Sequence, residues 1–137
     1  MVIACVDNIS AAAYRATRPS FPVVWVDEPP VGTRTSIARG EVDAALVSVA
    51  ALPRLAHLVR PIGPYGIACS HRVGSVVYIG RRAPEDAVRH GDRVYLSEQS
   101  LTARELFPLL CRLSFGRVPL LTSDPSEAGA HVLIGNE

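Results

Sequence analysis

Lysine is absent from this chain, and all 14 of its basic residues are arginine. Schiff-base chemistry through a lysine is therefore excluded, as is phosphate binding through a P-loop lysine. Any ionic contact to an anionic ligand must come from arginine.

Cysteine and histidine are also few. Cys5, Cys69 and Cys111 are far apart and include no Cys-x-x-Cys pair, which argues against a zinc site or a disulfide framework and favours a reducing compartment. The four histidines form no helical pair and have no carboxylate at ligand spacing. We therefore predict that the protein has no metal site.

Strong charge and long apolar runs are missing as well. The formal net charge is +1, which gives no electrostatic case for nucleic acid or an anionic membrane. No apolar run approaches the ~18 residues of a membrane span, and the start of the chain does not resemble a signal peptide. We expect a cytoplasmic protein that acts on a small molecule.

What the chain does contain is an alternation of apolar β-rich segments with helical segments, which predicts an α/β fold with mainly parallel strands. Strands are predicted at residues 2–6, 22–26, 42–47, 66–69, 73–79, 93–96, 118–121 and 131–134. Helices are predicted at residues 11–17, 33–39, 49–58 and 85–89, and after residue 96 behind a capping box of Thr102 and Glu105. Charge, glycine and proline cluster at residues 80–92, the one candidate boundary.

Ligands of open parallel sheets bind at the carboxyl ends of the strands, so the residues there carry the functional information. Most are small hydroxyls and amides: Asp7 to Ser10, Glu28 to Pro30, Ser48, Ser97 to Thr102, and Gly135 with Asn136. Hydroxyls beside helix N-termini suit a carboxylate ligand. The alternative for Ser10 and Ser100 is a simple N-cap, and Ser48 has either a buried partner or a ligand.

Five segments in a fixed order carry a family resemblance. They are Gly40-Glu-Val-Asp-Ala-Ala-Leu-Val-Ser48, Gly66-Ile-Ala68, Val73-Gly-Ser-Val76, Ser100-Leu-Thr-Ala103 and Ile134-Gly-Asn136. In this order they resemble chorismate dehydratase of the futalosine route to menaquinone and its near relative that cleaves cyclic dehypoxanthine futalosine. The resemblance runs over nearly the whole chain and corresponds to roughly the N-terminal half of a family member.

The resemblance implies a periplasmic-binding-protein type II fold, with two small parallel or mixed sheets and flanking helices. Residues 1–80 would begin lobe one and residues 81–137 would form most of lobe two. Family members return to lobe one after lobe two, so we expect the closing segment of lobe one to be absent. A homodimer or a partner chain would then complete the fold.

The implied reaction is the dehydration of chorismate to 3-[(1-carboxyvinyl)oxy]benzoate, by a hydro-lyase without a cofactor. Ser10 and Asn8 would be the catalytic residues. The residues that would bind the substrate are Ser48, Ser75, Ser100, Thr102, Ala103 and Asn136.

Three positions depart from the family pattern and predict altered specificity or lost activity. Ser10 stands at the family's asparagine unless Asn8 takes its place, Ala103 replaces a hydroxyl, and Asn136 replaces an aspartate. The alternative function is a non-catalytic protein that binds small carboxylates, or an inactive or truncated paralogue.

Overall fold

A computed structural model describes residues 1–6, 11–17, 19–63 and 66–135. The strands are β1 Val2–Val6, β2 Val24–Glu28, β3 Ala44–Ala45, β4 Val76–Gly80, β5 Arg93–Leu96, β6 Leu120–Thr122 and β7 Ala130–Ile134. The helices are α1 Ala12–Ala16, α2 Pro30–Ala38, α3 Leu52–Leu55, α4 Pro84–His90 and α5 Leu101–Phe115. Strands and helices alternate, which confirms the α/β class.

The chain divides into two compact units, Met1–Cys69 and Ser70–Glu137. The division therefore falls before β4 and not at residues 80–92, where the cluster of charge, glycine and proline suggested it. The reason is that β4 pairs along its whole length with β7, so Val76–Gly80 belongs to the second sheet.

The first unit has a three-stranded parallel sheet in the order β2-β1-β3. β3 is shorter than the predicted strand at 42–47. Even so, Asp43 N donates a hydrogen bond to Val2 O, and Leu46 N donates one to Ala4 O. Residues 43–46 therefore run alongside β1 beyond both ends of β3. Apart from Leu55, the buried residues of this unit are small, among them Ala4, Ala11, Ala51 and Thr33.

β2 and α2 lie elsewhere than predicted. The strand continues through Asp27 and Glu28, which were expected to end it, because both acids find partners there. Asp27 pairs with Arg15, and Glu28 accepts from Ser36. Pro29 and Pro30 then begin α2, since proline is tolerated in a first helical turn.

Two other predicted elements of the first unit are shorter or absent. The helix predicted at 49–58 is a 3₁₀ turn at Val49–Ala51 followed by α3. The strand predicted at 66–69 is not a strand. Short apolar runs predict extended structure only where a neighbouring strand accepts their hydrogen bonds.

The second unit has a four-stranded mixed sheet in the order β4-β7-β5-β6. β4 is antiparallel to β7, whereas β5 is parallel to both β7 and β6. Its core consists of Val94, Leu96, Ala130 and Val132. Packed against it are Val76, Tyr78, Ala103 and Phe107, with the rings of Tyr78 and Phe107 stacked at a centroid distance of 6.0 Å.

α5 begins earlier than the capping box predicted. Ser100 is the N-cap, and its side chain accepts from Ala103 N, so Thr102 and Glu105 lie within the helix. Pro108 lies inside α5 without ending it, and the helix ends at Gly116, whose φ is 68°. That left-handed conformation favours glycine.

Candidate ligand site at the carboxyl ends of the strands

In the first unit, the carboxyl edge of the sheet is formed by the ends of β1, β2 and β3. Val6, the last described residue of β1, pairs in register with Glu28 of β2. Asn8 and Ser10, the predicted catalytic residues, follow Val6 in the sequence and lie outside the described residues. Glu28 is therefore the described side chain closest in register to that segment.

Ser48 lies beyond β3 at the start of the 3₁₀ turn. It is half-buried, its side chain makes no capping hydrogen bond, and its carbonyl accepts from Ala51 N at 2.9 Å. Its place at the carboxyl edge agrees with a ligand-facing role, which stays a prediction.

The two carboxylate oxygens of Glu28 have different surroundings. Its Oε1 accepts a hydrogen bond from the buried Ser36 hydroxyl at 2.5 Å. Its Oε2 is enclosed and has no hydrogen-bond partner in the described part of the chain. A β-carbon on Gly32 would lie 3.2 Å from the Pro29 ring and 3.4 Å from this oxygen, so Gly32 packs closely against this end of β2.

In the second unit, the reversed direction of β4 brings Ser75 to the carboxyl edge of β5 and β7. Ser75 immediately precedes β4, whose first residue, Val76, pairs with Ile134 near the end of β7. Gly135 N donates to Ser75 O at 2.9 Å. Asn136, which follows, lies outside the described residues.

Two serines of the same edge lie between β5 and α5. Ser97 is 2% exposed and Ser100 is 7% exposed. Ser97 Oγ accepts from Gln99 N and Ser100 Oγ from Ala103 N, each at 3.1 Å. Since each hydroxyl accepts from an amide, its own proton remains available for an acceptor such as a carboxylate.

The sequence predicts the role of one of these two serines but not that of the other. For Ser100, the N-cap reading is correct, and a ligand contact would be an additional role. The sequence places Ser97 at a strand end but does not predict it as a site residue. The signal that identifies it is the hydroxyl directly after a fully apolar strand end, where burial demands a polar partner.

Thr102 and Ala103 lie in the first turn of α5. Thr102 is half-buried. The methyl group of Ala103 packs against the core of the sheet, while its amide donates a hydrogen bond to Ser100 Oγ. Ala103 therefore contributes a backbone group to this edge and not a side-chain contact.

A half-open groove of about 420 Å³ lies beside α5 at the ends of β5 and β6. Its charged lining residues are Glu98, Arg104 and Glu105. The groove therefore has two carboxylates and one guanidinium, and this balance of charge does not favour the binding of an anion.

Burial raises the pKa of Tyr78, with smaller contributions from Asp92 and Cys111, and burial also raises the pKa of Cys111. Both groups therefore stay neutral near pH 7 and do not supply a base. No group of three or more histidine, cysteine, aspartate or glutamate residues in the described ranges is placed to hold a metal ion.

A family model described as menaquinone biosynthesis matches residues 5–137. The chain belongs to this family. The match to the menaquinone biosynthesis family covers both units, including the residues that follow β1 and the edge around Ser75 and Ser100. The comparison with curated proteins gave no match. Across the described ranges, no helix has the length and apolar character needed to cross a membrane.

Proposed function

We propose that this protein is a chorismate dehydratase-like hydro-lyase, which converts chorismate to 3-[(1-carboxyvinyl)oxy]benzoate in menaquinone biosynthesis. The family match supports the pathway, and the resemblance of the five sequence segments supports the step. The observation that carries the proposal is the convergence of Ser75, Ser97 and Ser100 at one carboxyl edge, beside the N-terminus of α5.

Those hydroxyls suit a dicarboxylate such as chorismate. A hydroxyl that accepts from a backbone amide is polarised and donates its proton more strongly to an anion. The amino end of α5 adds favourable potential for negative charge over its first turn. Together these groups would hold a substrate carboxylate without a lysine.

The reaction needs little covalent work from the protein. The ring loses a proton and its hydroxyl group, and aromatisation drives the step. The protein would hold both carboxylates, orient the ring and exclude water. By resemblance, Asn8 and Ser10 orient the reacting ring, and a substrate carboxylate or a held water accepts the ring proton.

Incubation with chorismate tests the proposal directly. We expect the enolpyruvyl benzoate product to accumulate, as measured by chromatography. The Asn8→Ala/Ser10→Ala double variant should lose most of this turnover, by about 100-fold or more if the two side chains orient the substrate. A variant with unchanged turnover would remove the role given to both residues.

A binding protein without catalysis is the second candidate. It is favoured by Ala103, whose methyl group lies in the core where the family pattern has a hydroxyl. Saturable binding of chorismate without product would decide for this alternative. We expect binding in both cases, so product formation is the discriminating measurement.

A further inference from the structure

We propose that the open edge of β4 is an interaction surface that pairs with β4 of a second copy of this chain. The two strands would run antiparallel about a two-fold axis, so that two four-stranded sheets join into one continuous sheet. The inference does not depend on the proposed function. It is carried by the position of β4, by its hydrogen-bonding pattern and by its apolar side chains.

β4 is the least protected sheet edge in the described part of the chain. The strand orders leave β4 and β6 at the edges of one sheet and β2 and β3 at the edges of the other. Proteins protect such edges by keeping the strand short or by adding charge or proline. β3 and β6 have two and three residues, and β2 contains Asp27 and Glu28. β4 has five residues and contains neither charge nor proline.

The hydrogen bonds between β4 and β7 show which backbone groups of β4 face the open side. Gly135 N donates to Ser75 O at 2.9 Å, so these two opposed residues form a hydrogen-bonded pair. In an antiparallel ladder such pairs recur at every second residue. Val77 and Ile79 therefore use their backbone groups for β7, in the register of the two strands. The residues that alternate with them have theirs on the open side.

Tyr78 and Gly80 thus direct both N–H and C=O away from β7, as Val76 directs its carbonyl group. A second observation agrees, because Ser97 N donates to Val132 O at 2.9 Å. Val132 is the partner of Tyr78 in β7, and its carbonyl group points to the side of β5 and not to β4. A strand that adds to β4 would therefore find donors and acceptors at every second residue.

The side chains of β4 divide between the core and the surface. Val76 and Tyr78 pack against the core of the second unit. Val77 and Ile79 lie on the opposite face of the sheet and are 47% and 55% exposed. Apolar β-branched side chains at these positions gain contacts when another strand pairs with the edge.

The sequence of β4 is complementary to itself in antiparallel pairing, which favours a second copy as the partner. With Tyr78 on the two-fold axis, each Tyr78 N donates to Tyr78 O of the second copy. Gly80 N donates to Val76 O of the second copy. Val77 lies opposite Ile79 of the second copy in a non-hydrogen-bonded pair, the kind whose side chains are closest.

Charge does not oppose this pairing. Arg81 is the first charged residue after β4, and in the same register it lies opposite Ser75 of the second copy. Like charges, which are destabilising when directly opposed, therefore do not meet across the junction. Because the pairing is two-fold, each β4 covers the other and the assembly stops at a dimer.

Sedimentation equilibrium of the full chain tests the proposal. A small interface gives weak association, so the measurement runs from about 1 μM to about 1 mM. We expect the mass to rise from the 14.7 kDa of one chain toward twice that value. A wild type that keeps the mass of one chain over the whole range overturns the proposal.

Two double variants then test the register. In Val77→Lys/Ile79→Lys, like charges face each other across the junction. In Val77→Lys/Ile79→Glu, each new lysine faces a new glutamate of the second copy. Since like charges directly opposed repel and opposite charges attract, the dissociation constant of the first variant should exceed that of the second at least about 10-fold.

The matched control is Leu109→Lys/Leu113→Lys. It adds the same charge as the first variant, but on α5, where the two leucines are 50% and 73% exposed. We expect the control to associate like the wild type. If Val77→Lys/Ile79→Lys also does so, or if the control abolishes association, the copies meet at another surface and the proposal is wrong. Equal weakening by both β4 variants would overturn the antiparallel register.

Thermal melting checks that each variant folds. Should a charged variant unfold, disulfide formation gives the same test, because opposed residues of a non-hydrogen-bonded pair lie within disulfide distance. In a Cys69→Ser background, oxidation should link Val77→Cys to Ile79→Cys when the two variants are mixed, and should link neither variant to itself. Cys5 and Cys111 are buried and do not compete. A mixture that gives no more linked dimer than the separate variants overturns the proposal.

Discussion

At the residue scale, single polar side chains complete the turns of the second unit. Asp124 is the clearest case, because its Oδ1 accepts from Ser126 N at 2.8 Å and from Ser126 Oγ at 2.7 Å. The Ser126 hydroxyl, followed by its amide, lowers the pKa of this carboxyl group from 3.8. The group therefore favours its charged form in the folded protein.

This shift predicts a pH dependence of stability. A lowered folded pKa stabilises the protein above the unfolded pKa, and that stabilisation is lost as the pH falls below 3.8 through the folded pKa. In Asp124→Asn the acceptor remains but the charge does not. Thermal melting against pH should show the advantage of the wild type disappearing in acid. Parallel curves for the two proteins would contradict this.

At the scale of the element, close packing of strands sets which positions accept a side chain. Gly80 ends β4, and a β-carbon built on it would lie 2.7 Å from the Tyr78 hydroxyl and 2.8 Å from the Ala130 β-carbon. The sequence predicts this glycine as part of a boundary between the two groups of strands. In the structure it allows β4 and β7 to pack against each other.

Gly80→Ala should therefore destabilise the second unit by roughly 1–3 kcal/mol, as for an overpacked core. Urea unfolding, followed by circular dichroism, measures the change. Gly74→Ala is the control, because a β-carbon there meets nothing within 4 Å. Equal stability of the two variants would mean that the strands separate easily at this point.

Whether an element depends on local or on long-range signals decides how well the sequence predicts it. β1, β5 and α4 were predicted nearly to the residue, because their apolar pattern and the turn at Gly91 are local signals. The place of Ser75 was not predictable, since it depends on antiparallel pairing with a strand near the other end of the unit.

The candidate site shows the same difference between local and long-range signals. The N-cap at Ser100 is a local signal, and the sequence predicts it as one of two roles for this residue. The enclosure of Glu28 Oε2 depends on Ser36 and Gly32 packing against β2, which no pattern at residues 27–30 reveals. Asn8, Ser10 and Asn136 remain predictions from resemblance.

At the scale of the whole molecule, the chain consists of two units, each with its own sheet. The described residues between Leu55, at the end of α3, and Val76, at the start of β4, form neither helix nor strand. Arg72 lies in this stretch and is exposed.

Trypsin should therefore cut first at Arg72, because proteases cut exposed connections more readily than strands and helices. Arg60 is followed by Pro61, which blocks cleavage by trypsin. With no lysine in the chain, arginine provides all the sites. Mass spectrometry of early digests should find fragments that separate the two sheets. An Arg72→Gln variant should lose this first cut, and a first cut at Arg93 or Arg112 would contradict the prediction.

The reversed direction of β4 has a consequence for engineering. The chain enters the second sheet beside the point at which β7 leaves it, and Gly135 N is only 2.9 Å from Ser75 O. In a circular permutant of the second unit, a short linker would join Gly135 to Ser75. The new ends of the chain would lie at the turn of Gly91, between α4 and β5. Such a permutant would carry its peptide junction directly across the edge where Ser97 and Ser100 lie.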